Sequence, residues 1–559
     1  MQRIQVNGKE ETEARSITDH FNEFFVDIGA KLAAKISGGK NPLTYVTKSN
    51  QYKFRAQTID GNKILHLIKS LKKGKATGLD GISVRMLKAG SSALCDKLTY
   101  LFNFSIMTGE VPDLWKHKRV CPVYKSGSKT STQNYRPISI LPVASKMLEK
   151  IIHEQLYDYL LKREIINPKQ SGFRRNHSTA TATIDVSDHI LSEMAKGKIV
   201  AAVFIDLAKA FDTVDHSILL KKMDRYGVQG TEQKWLKSYL SDRHQVTSVN
   251  DSQSAELQEK EYGVPQGSVL GPLLFICYIN DIQASLNCVS HIYADDTVLL
   301  FSNPEVEALN QNVQAGIKSV AEWLSSNKLT LNVGKTEYML FANKRKLNLV
   351  RNFDLNINET KIKRTEKFKY LGVYFDPTLS LKEHINITAG KLKNKLNKIE
   401  RALPYLTNDT KKLLFNALIL PHIDYCSEVW SSASNACLKK VASVYNRSLR
   451  LLEGKNDKYC NLNTRLEKNI LKMMFKSVNK ISPVYLQKRI KLAREIHSRT
   501  TRSALSKKIF IEKRNTKSEA KLFTTRAASL WNSLPYELTS LDSFLRFKIS
   551  IEDYYRDKN

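Results

Sequence analysis

The 559-residue sequence contains few cysteines, and their spacing forms no metal-binding or disulfide pattern. The seven cysteines are odd in number and scattered. No two of them stand as C-x-x-C, and none has histidines at the spacing of zinc ligands. This argues against a zinc-binding module and against a disulfide framework. It predicts reduced thiols, as in a cytoplasmic or nuclear protein.

The sequence also lacks long apolar runs. No stretch approaches the roughly 18–20 apolar residues that cross a bilayer, and the N-terminal segment MQRIQVNGKEETEAR has no apolar core of a signal peptide. We therefore expect no membrane partner and a cytoplasmic and nuclear location. Hydrophobic residues make up 42% and charged residues 26% of the chain, which is ordinary globular composition and excludes wholesale disorder.

Negative charge is scarce relative to positive charge. The chain has 88 Lys and Arg but 55 Asp and Glu, a net charge of +33, and its pI is about 9.6. Residues 381–559 alone hold 36 basic and 16 acidic residues, a net charge of +20. Such an excess predicts a polyanionic partner, either nucleic acid or an anionic surface. The alternative is a generally basic, soluble surface.

Helical periodicity appears in several segments. Apolar residues recur at spacings of three and four over residues 16–36 and 144–163. Residues 380–383, Ser-Leu-Lys-Glu, match a capping box and predict a further helix. The apolar stripe of this helix comprises Ile385, Ala389, Leu392, Leu396 and Ile399. The lysines off this stripe are Lys391, Lys393, Lys395 and Lys398.

Three carboxylates follow apolar segments. The run at 199–205 predicts a buried strand that ends on Asp206, and VSHIYADDTVLLF at 289–301 predicts a hairpin with Asp295 and Asp296 at its tip. A buried carboxylate is costly unless it is paired or binds a metal. Three together would repel one another unless divalent cations neutralise them. Paired Mg²⁺ ions about 4 Å apart use such a set in phosphoryl transfer. The alternative is that the acids form turns.

A glycine-bearing loop lies between the strand acid and the hairpin acids. Residues 263–268 read GVPQGS, and the apolar run VLGPLLF follows at 269–275. Glycines on both sides of Pro-Gln allow the backbone to approach a ligand closely. The position of this loop between the acids makes the pattern specific.

The order FIDLAKAFD at 204–212, GVPQGSVLGPLLF at 263–275 and YADD at 293–296 resembles the palm of reverse transcriptases. More narrowly, it resembles the jockey-like group of non-LTR (LINE-type) retrotransposons. Four further segments carry the same resemblance, namely KATGLDGI at 75–82, YRPIS at 135–139, QSGFR at 170–174 and YLGV at 370–373. The last of these resembles a primer-grip turn. The resemblance is strong over roughly 60–376.

The resemblance implies an α/β (α+β) right-hand polymerase fold. Its fingers and palm would contain antiparallel sheet, and a helical thumb and a basic helical C-terminal region would follow. The corresponding divisions are an N-terminal helical extension at 1–60, fingers and palm at 61–376, the thumb at 377–455 and the basic region at 456–559. If residues 456–559 serve only to bind nucleic acid, their removal should weaken template–primer binding and leave the metal site intact.

The resemblance also implies the activity of an RNA-directed DNA polymerase with a two-metal site. Asp206 and Asp295 would hold two Mg²⁺ ions, with Asp296 in support, and Mn²⁺ is a possible substitute. Lys335 resembles a lysine that protonates the leaving pyrophosphate, and the alternative for it is a solvated lysine.

Six further residues are implied to bind the dNTP or the template. Lys125 and Arg136 would clamp the triphosphate, for which the planar guanidinium of arginine is well suited. Phe211 stands at the sugar-gate position, where a bulky ring collides with a ribose 2′-OH, and its alternative is a core aromatic. Leu207, Gln266 and Gly267 would line the nascent pair. The alternative for Lys125 is a solvated residue of the polar loop in which it lies.

The implied partners are an RNA template, a DNA primer or nicked target DNA, and dNTPs. Because the 60 residues before the resemblance cannot hold an endonuclease domain, the nick would require a separate endonuclease or a pre-existing break. The alternative is that this chain is a truncated element or a fragment of a longer reading frame. Residues 187–189, Ser-Asp-His, match an endonuclease signature in letters only. The alternatives are a catalytically degenerate or co-opted RNA-binding remnant, an RNA-dependent RNA polymerase, which Phe211 disfavours, and a group II intron maturase.

Overall fold

The structure is a computed structural model that describes residues 3–6, 8–47, 51–350, 352–357, 360–453, 459–496, 507–512 and 516–558. The chain divides into two compact units. Unit 1 comprises residues 1–173, 206–287 and 317–332, and unit 2 comprises residues 174–205, 288–316 and 333–559. Within the described ranges, the search for a helix of sufficient length and apolarity to cross a membrane found none.

The α-helices have the following bounds in chain order: α1 Ala14–Ala33, α2 Gly61–Ser70, α3 Val84–Ala89, α4 Ser91–Thr108, α5 Val143–Lys162, α6 Thr179–Ala195, α7 His216–Arg225, α8 Thr231–Leu240, α9 Gly271–Ile279, α10 Val306–Ser326, α11 Lys344–Leu349, α12 Lys382–Glu400, α13 Asn408–Leu414, α14 Leu420–Asp424, α15 Ser427–Trp430, α16 Asn435–Glu453, α17 Leu462–Val478, α18 Val484–Gln487, α19 Ala493–Ile496, α20 Lys517–Lys521, α21 Phe523–Asn532, α22 Tyr536–Thr539 and α23 Phe544–Lys558. The predicted helices at 16–36 and 144–163 are confirmed as α1 and α5.

The strands have the following bounds: β1 Ile4–Val6, β2 Lys9–Glu11, β3 His117–Tyr124, β4 Tyr135–Ile140, β5 Ile199–Ile205, β6 His244–Val249, β7 Ser252–Gln253, β8 Leu257–Gln258, β9 Val289–Tyr293, β10 Asp296–Asn303, β11 Glu337–Phe341, β12 Asn356–Ile357, β13 Thr360–Lys361, β14 Lys363–Arg364, β15 Phe368–Tyr370 and β16 Val373–Phe375. The predicted strand before Asp206 and the predicted hairpin at 289–301 are both confirmed.

Unit 1 is built around the sheet β4-β3-β6-β7, with β8 paired to β6. Helix α1 packs on this sheet because Ile17, Phe21 and Phe25 share one face at a spacing of four. These side chains form a core cluster with Val120 of β3 and Tyr135 of β4. Strand β4, which carries Arg136, is thus the edge strand of the sheet, paired with β3 and packed against α1 through Tyr135.

Unit 2 is built around the sheet β14-β11-β5-β10-β9. Every residue of β5 is buried, as expected for a central strand that is covered on both faces. Strand β5 pairs antiparallel with β10 and with β11. The sheets contain antiparallel pairs, as expected, and also two parallel pairs that the sequence did not predict, β3 with β6 and β11 with β14. More than a hundred residues separate β3 from β6, so no hairpin forces an antiparallel pair.

The predicted capping box before α12 does not form. The helix follows Leu381, which has a left-handed φ of 61°, and the Ser380 hydroxyl accepts from the Lys382 N–H at 3.3 Å. The carboxylate of Asp376 accepts from the backbone N–H groups of Ser380 and Leu381, at 3.0 and 2.8 Å. It also accepts from the Ser380 hydroxyl at 3.1 Å. The reciprocal box fails because Asp376, and not Glu383, accepts from the Ser380 N–H.

A single hydrophobic core runs through unit 2 from its sheet to the end of the chain. Buried residues of the cluster include Ala202 and Phe204 of β5, Leu300 of β10, Phe475 of α17 and Trp531 of α21. Residues 456–559 therefore supply part of the core that covers β5 and β10. We therefore expect their removal to disturb the sheet that carries Asp295 and Asp296, in contrast to the expectation from the sequence that the metal site stays intact without them.

Candidate active site

The hairpin β9–β10 presents two adjacent aspartates at its tip. Tyr293 pairs with Asp296, and Ala294, with φ of 56°, and Asp295 form the turn between them. Both aspartates are exposed. Thr297, the residue after this turn, pairs with Ile205 at the end of β5. Unit 2 thus brings the last residue of β5 beside the acidic turn.

Asp206 is the next residue in the chain after Ile205 and belongs to unit 1. The Asp206 backbone carbonyl accepts from the Asn332 N–H at 2.9 Å, and Leu207 forms an antiparallel bridge with Leu331. These bonds keep the backbone extended beyond the end of β5. Leu207 is half-buried.

The negative charge of Asp296 affects the pKa of two tyrosines of unit 2. Burial raises the pKa of Tyr370 well above its usual range, and the negative charge of Asp296 adds to this shift. Burial also raises the pKa of Tyr293, and Cys426 and Asp296 add to that shift. The Asp296 carboxylate therefore lies within electrostatic range of two neutral hydroxyls.

The donor chemistry of these aspartates suits a divalent cation, because carboxylate oxygens are the ligands that Mg²⁺ and Mn²⁺ prefer. Within the ranges described above, no group of three or more His, Cys, Asp or Glu side chains is placed so as to hold a metal ion. The assignment of Asp206, Asp295 and Asp296 as metal ligands thus stays a prediction.

Phe211 is held by two aromatic neighbours in unit 1. Its ring stacks on Phe275 with centroids 4.4 Å apart and meets Phe173 edge-on at 6.1 Å. The side chain is half-buried, so one part packs and another part faces outward. This arrangement fixes the ring direction, which is what a steric gate requires.

The loop at 263–268 approaches strand β4 closely. Gly267 has φ of 122°, and a Cβ there would lie 2.5 Å from the Ser139 carbonyl oxygen. The Ser139 N–H donates to the Gln266 carbonyl at 2.7 Å. The glycine therefore serves close packing against β4, whereas the sequence suggested close approach to a ligand.

A buried carboxylate fixes the far end of this loop. Glu149 of α5 accepts from the N–H groups of Val269 and Leu270, at 2.6 and 3.1 Å, just before α9 begins. Burial raises the pKa of Glu149, and these two bonds oppose the shift. Sequence reasoning missed Glu149. The available signal is its acidic side chain beside the apolar face of α5.

The three predicted cationic residues are all exposed. Lys125 lies in the loop between β3 and β4, where its N–H donates to the Asn134 carbonyl at 2.9 Å. Arg136 lies on β4 opposite Val123. Lys335 precedes β11 in unit 2. The hairpin β3–β4 therefore brings Lys125 and Arg136 into one element.

The YLGV turn between β15 and β16 has two residues with positive φ, Leu371 at 41° and Gly372 at 84°. The Tyr425 hydroxyl donates to the Leu371 carbonyl at 2.8 Å. The ring of Tyr425 would contact a Cβ at Gly372 at 2.7 Å. Sequence reasoning missed Tyr425, which holds this turn from 54 residues away.

The Ser-Asp-His triplet at 187–189 has a structural explanation. The buried carboxylate of Asp188 accepts from the N–H groups of Phe523 and Thr524, at 2.9 and 3.4 Å, at the start of α21. Such a bond stabilises a helix N-terminus. The match to an endonuclease signature is therefore a match in letters only.

Unit 2 contains a buried central strand with an acidic hairpin beside its end, and unit 1 contains the loop that packs on β4 through Gly267. Both units are built of mixed helices and sheets. Residues 124–375 match the family described as reverse transcriptase (RNA-dependent DNA polymerase). The match confirms the resemblance that the motifs indicated, and it covers less than half of the chain.

The relatives include three transposon polymerases of Drosophila melanogaster. The chain is 28% identical over 408 residues to the probable RNA-directed DNA polymerase from transposon BS, covering 70% of this chain and 44% of the relative. It is 26% identical over 424 residues to the RNA-directed DNA polymerase from mobile element jockey, covering 73% and 45%. It is 27% identical over 433 residues to the probable polymerase from transposon X-element, covering 76% and 47%. The alignments thus span less than half the length of these relatives.

Proposed function

We propose that this chain is the RNA-directed DNA polymerase of a non-LTR retrotransposon and extends a primer 3′-OH with dNTPs on an RNA template. The observation that carries the proposal is the reverse transcriptase match over residues 124–375, which includes the hairpin with Asp295 and Asp296. The test is primer extension by the purified chain on an RNA template with Mg²⁺. Binding of RNA without any extension would favour a degenerate or co-opted RNA-binding remnant.

Asp206 and Asp295 would hold the two Mg²⁺ ions, with Asp296 in support and Mn²⁺ as a substitute. When bound, such ions stabilise the attacking and leaving oxygens of the nucleotidyl transfer. The pairing of Ile205 with Thr297 supports this assignment, because it brings the end of β5 to the acidic hairpin.

The other proposed roles belong to nucleotide binding. Arg136 and Lys125 would bind the triphosphate, which both can reach because they are exposed on one hairpin. Leu207, Gln266 and Gly267 would line the nascent base pair. Lys335 would donate a proton to the leaving pyrophosphate.

The proposed organisation follows the right hand, with fingers and palm at 61–376, the helical thumb at 377–455 and the basic region at 456–559. The proposed partners are an RNA template and a DNA primer or nicked target DNA. The proposed location is cytoplasmic and nuclear.

Replacing Phe211 with Ala is expected to relax the choice of sugar. Loss of the ring removes the collision with a ribose 2′-OH, so the ratio of kcat/KM for rNTP to that for dNTP should rise about 10–100-fold. Single-nucleotide incorporation with matched rNTP and dNTP measures this ratio.

The matched control is Phe102→Leu, at a fully buried aromatic side chain of unit 1 that meets Trp115 edge-on. It should lower the free energy of unfolding and leave sugar selectivity nearly unchanged. Equal selectivity for dNTP over rNTP in Phe211→Ala and the wild type would contradict the assignment of Phe211 as the sugar gate.

The lysine-rich face of α12 is expected to contact the nucleic-acid backbone. Three of the four lysines are exposed, whereas Ile385, Leu392 and Leu396 on the opposite face are buried. Changing Lys391, Lys393, Lys395 and Lys398 to Gln should reduce the salt slope of template–primer binding by about 3, at roughly 0.7–0.9 per phosphate contact.

Fluorescence anisotropy at several salt concentrations measures the slope. Replacement of the same four lysines with Arg keeps the charge and should keep the slope. An unchanged slope in the Gln variant would show that this face does not bind nucleic acid.

A further inference from the structure

The side chain of Gln266 is bound to a single carboxylate. Its Nε2 donates to Asp212 Oδ1 at 2.8 Å, across 54 residues of sequence. Asp212 is the last residue of the FIDLAKAFD segment and follows Phe211 directly. Both partners belong to unit 1. The contact therefore joins the segment that carries the proposed sugar gate to the loop that carries the proposed template-lining residue.

The backbone of the loop is fixed independently of this contact. The N–H of Val264 donates to the Phe211 carbonyl at 2.9 Å, and the N–H of Gly263 donates to the Val214 carbonyl at 2.8 Å. On the opposite side, Ser139 of β4 binds the Gln266 carbonyl. With the backbone held at these points, the rotation of the Gln266 amide is the main freedom left, and Asp212 determines it.

The chemistry of the pair selects one amide orientation. An ionised carboxylate only accepts hydrogen bonds, whereas an amide has a donating nitrogen and an accepting oxygen. The nitrogen must therefore face Asp212. The Gln266 Oε1 then faces away from Asp212 as an acceptor, and a rotated amide would place two acceptors against each other.

A small polar cavity lies behind the pair. Its volume is about 40 Å³, and Asp212, Ser139, Lys118 and Glu259 are among its lining residues. Asp212 Oδ2 and Ser139 Oγ are both buried and make no hydrogen bond within the described part of the chain. A cavity of this size with two such groups can hold ordered water, which would satisfy the second oxygen of Asp212.

We propose that Asp212 is a positioning residue that fixes the orientation of the Gln266 amide and thereby the way Gln266 meets the nascent base pair. The proposal rests on the proposed polymerase function and goes beyond it, because it assigns Asp212 a role in nucleotide selection. Asp212 contacts Gln266 and acts through it.

The ionisation of Asp212 gives the proposal a pH signature. Burial raises the pKa of Asp212, while Lys209, the Gln266 hydrogen bond and Lys118 lower it and Glu259 raises it. His216, which contacts the Gly263 carbonyl, lies near the same loop. Ionised Asp212 fixes the orientation of the Gln266 amide at pH values above the Asp212 pKa. This effect is lost as the pH falls through that pKa. This loss should begin at a higher pH than for an ordinary aspartate.

The test is a double-mutant cycle of Asp212→Asn and Gln266→Met with primer extension as the readout. Each single variant should raise the KM for dNTP about 10-fold, with a smaller change in kcat. Asp212→Asn removes the charge of the acceptor and allows either orientation of the Gln266 amide, and Gln266→Met removes the donor. The double variant should have the same KM for dNTP as Gln266→Met, because Asp212 affects the base pair only through Gln266. The pH dependence of misincorporation should be present in the wild type and absent in Asp212→Asn.

Independent effects of the two substitutions in an active enzyme would overturn the proposal, as would a wild-type pH profile in Asp212→Asn. No extension by the wild type would overturn the proposed function, and with it the role of the pair. Thermal unfolding confirms that each variant folds, and Asp212→Ser replaces Asp212→Asn if the latter does not. Asp409→Asn, whose side chain is 98% exposed, is the control and should behave as the wild type.

Discussion

Replacing Asp295 with Asn is expected to lower primer extension by about 10³-fold or more. The two side chains have nearly the same shape, but the amide lacks the charge that binds a divalent cation. Metal stabilisation of the transferring phosphoryl group supplies several kcal/mol, and about 4 kcal/mol corresponds to roughly 10³ in rate. Single-turnover extension of a DNA primer on an RNA template, with Mg²⁺ titrated, measures the loss.

The exposed position of Asp295 makes this test clean, because the substitution should leave the free energy of unfolding nearly unchanged. Asp409→Asn serves again as the control for loss of one exposed carboxylate. An Asp295→Asn variant as active as the wild type would contradict the assignment of Asp295 to the metal site. Retained RNA binding with loss of extension would separate the enzyme from an RNA-binding remnant.

The sequence was sufficient for those parts of the site that depend on local pattern. An uninterrupted apolar run at 199–205 has no helical face and can only be a covered strand, and it is β5. Two apolar runs flank Ala294 and Asp295, and these two residues form the turn that lets the runs pair as a hairpin. These elements were predictable because period and turn position are properties of neighbouring residues.

The supporting contacts could not be predicted, because each joins residues far apart in the sequence. Asp212 meets Gln266 across 54 residues, and Glu149 meets Val269 across 120. Residues 380–383 failed for a related reason. The letters of a capping box were present, but Asp376 takes the Ser380 N–H that Glu383 would have bound. A motif states which partners a backbone group can bind, and the fold determines which partner reaches it.

The two glycines of the loop show the same limit. The sequence predicted that a ligand approaches the backbone closely at Gly263 and Gly267, and both glycines have positive φ. In the structure, the neighbours of a Cβ at these positions are the backbone of Asp212 and that of Ser139, so the glycines fix the loop between the sugar-gate segment and β4.

Deletion of residues 456–559 is expected to abolish the cooperative folding of unit 2. The removed segment holds Phe475, Trp531 and Phe547, which pack on one another with ring centroids 4.3–6.3 Å apart. It also contains the first residue of α21, Phe523, whose N–H donates to the buried Asp188 carboxylate. Without that partner, Asp188 of α6 is a buried charge with no compensating hydrogen bond, which is costly.

Trp531→Ala tests the same core without removing any charge. Trp531 is fully buried, and its Nε1 donates to the Lys507 carbonyl at 2.8 Å. The substitution should lower the free energy of unfolding by about 3–5 kcal/mol, from lost apolar contact and the cavity left behind. Tyr536→Ala, at a side chain that is 58% exposed, is the matched control and should cost far less. Chemical denaturation followed by fluorescence and circular dichroism measures both variants.

These two variants also test whether the positive charge of residues 456–559 contributes to template–primer binding. If deletion of 456–559 weakened template–primer binding, the loss could come from the lysines or from collapse of the sheet that carries Asp295 and Asp296. Trp531→Ala separates the two causes, because it keeps the full net charge. Loss of binding in Trp531→Ala above its unfolding transition, with full binding below it, would assign the deletion effect to folding. A stable deletion variant with an intact unfolding transition would show that the C-terminal helices are a separable basic region after all.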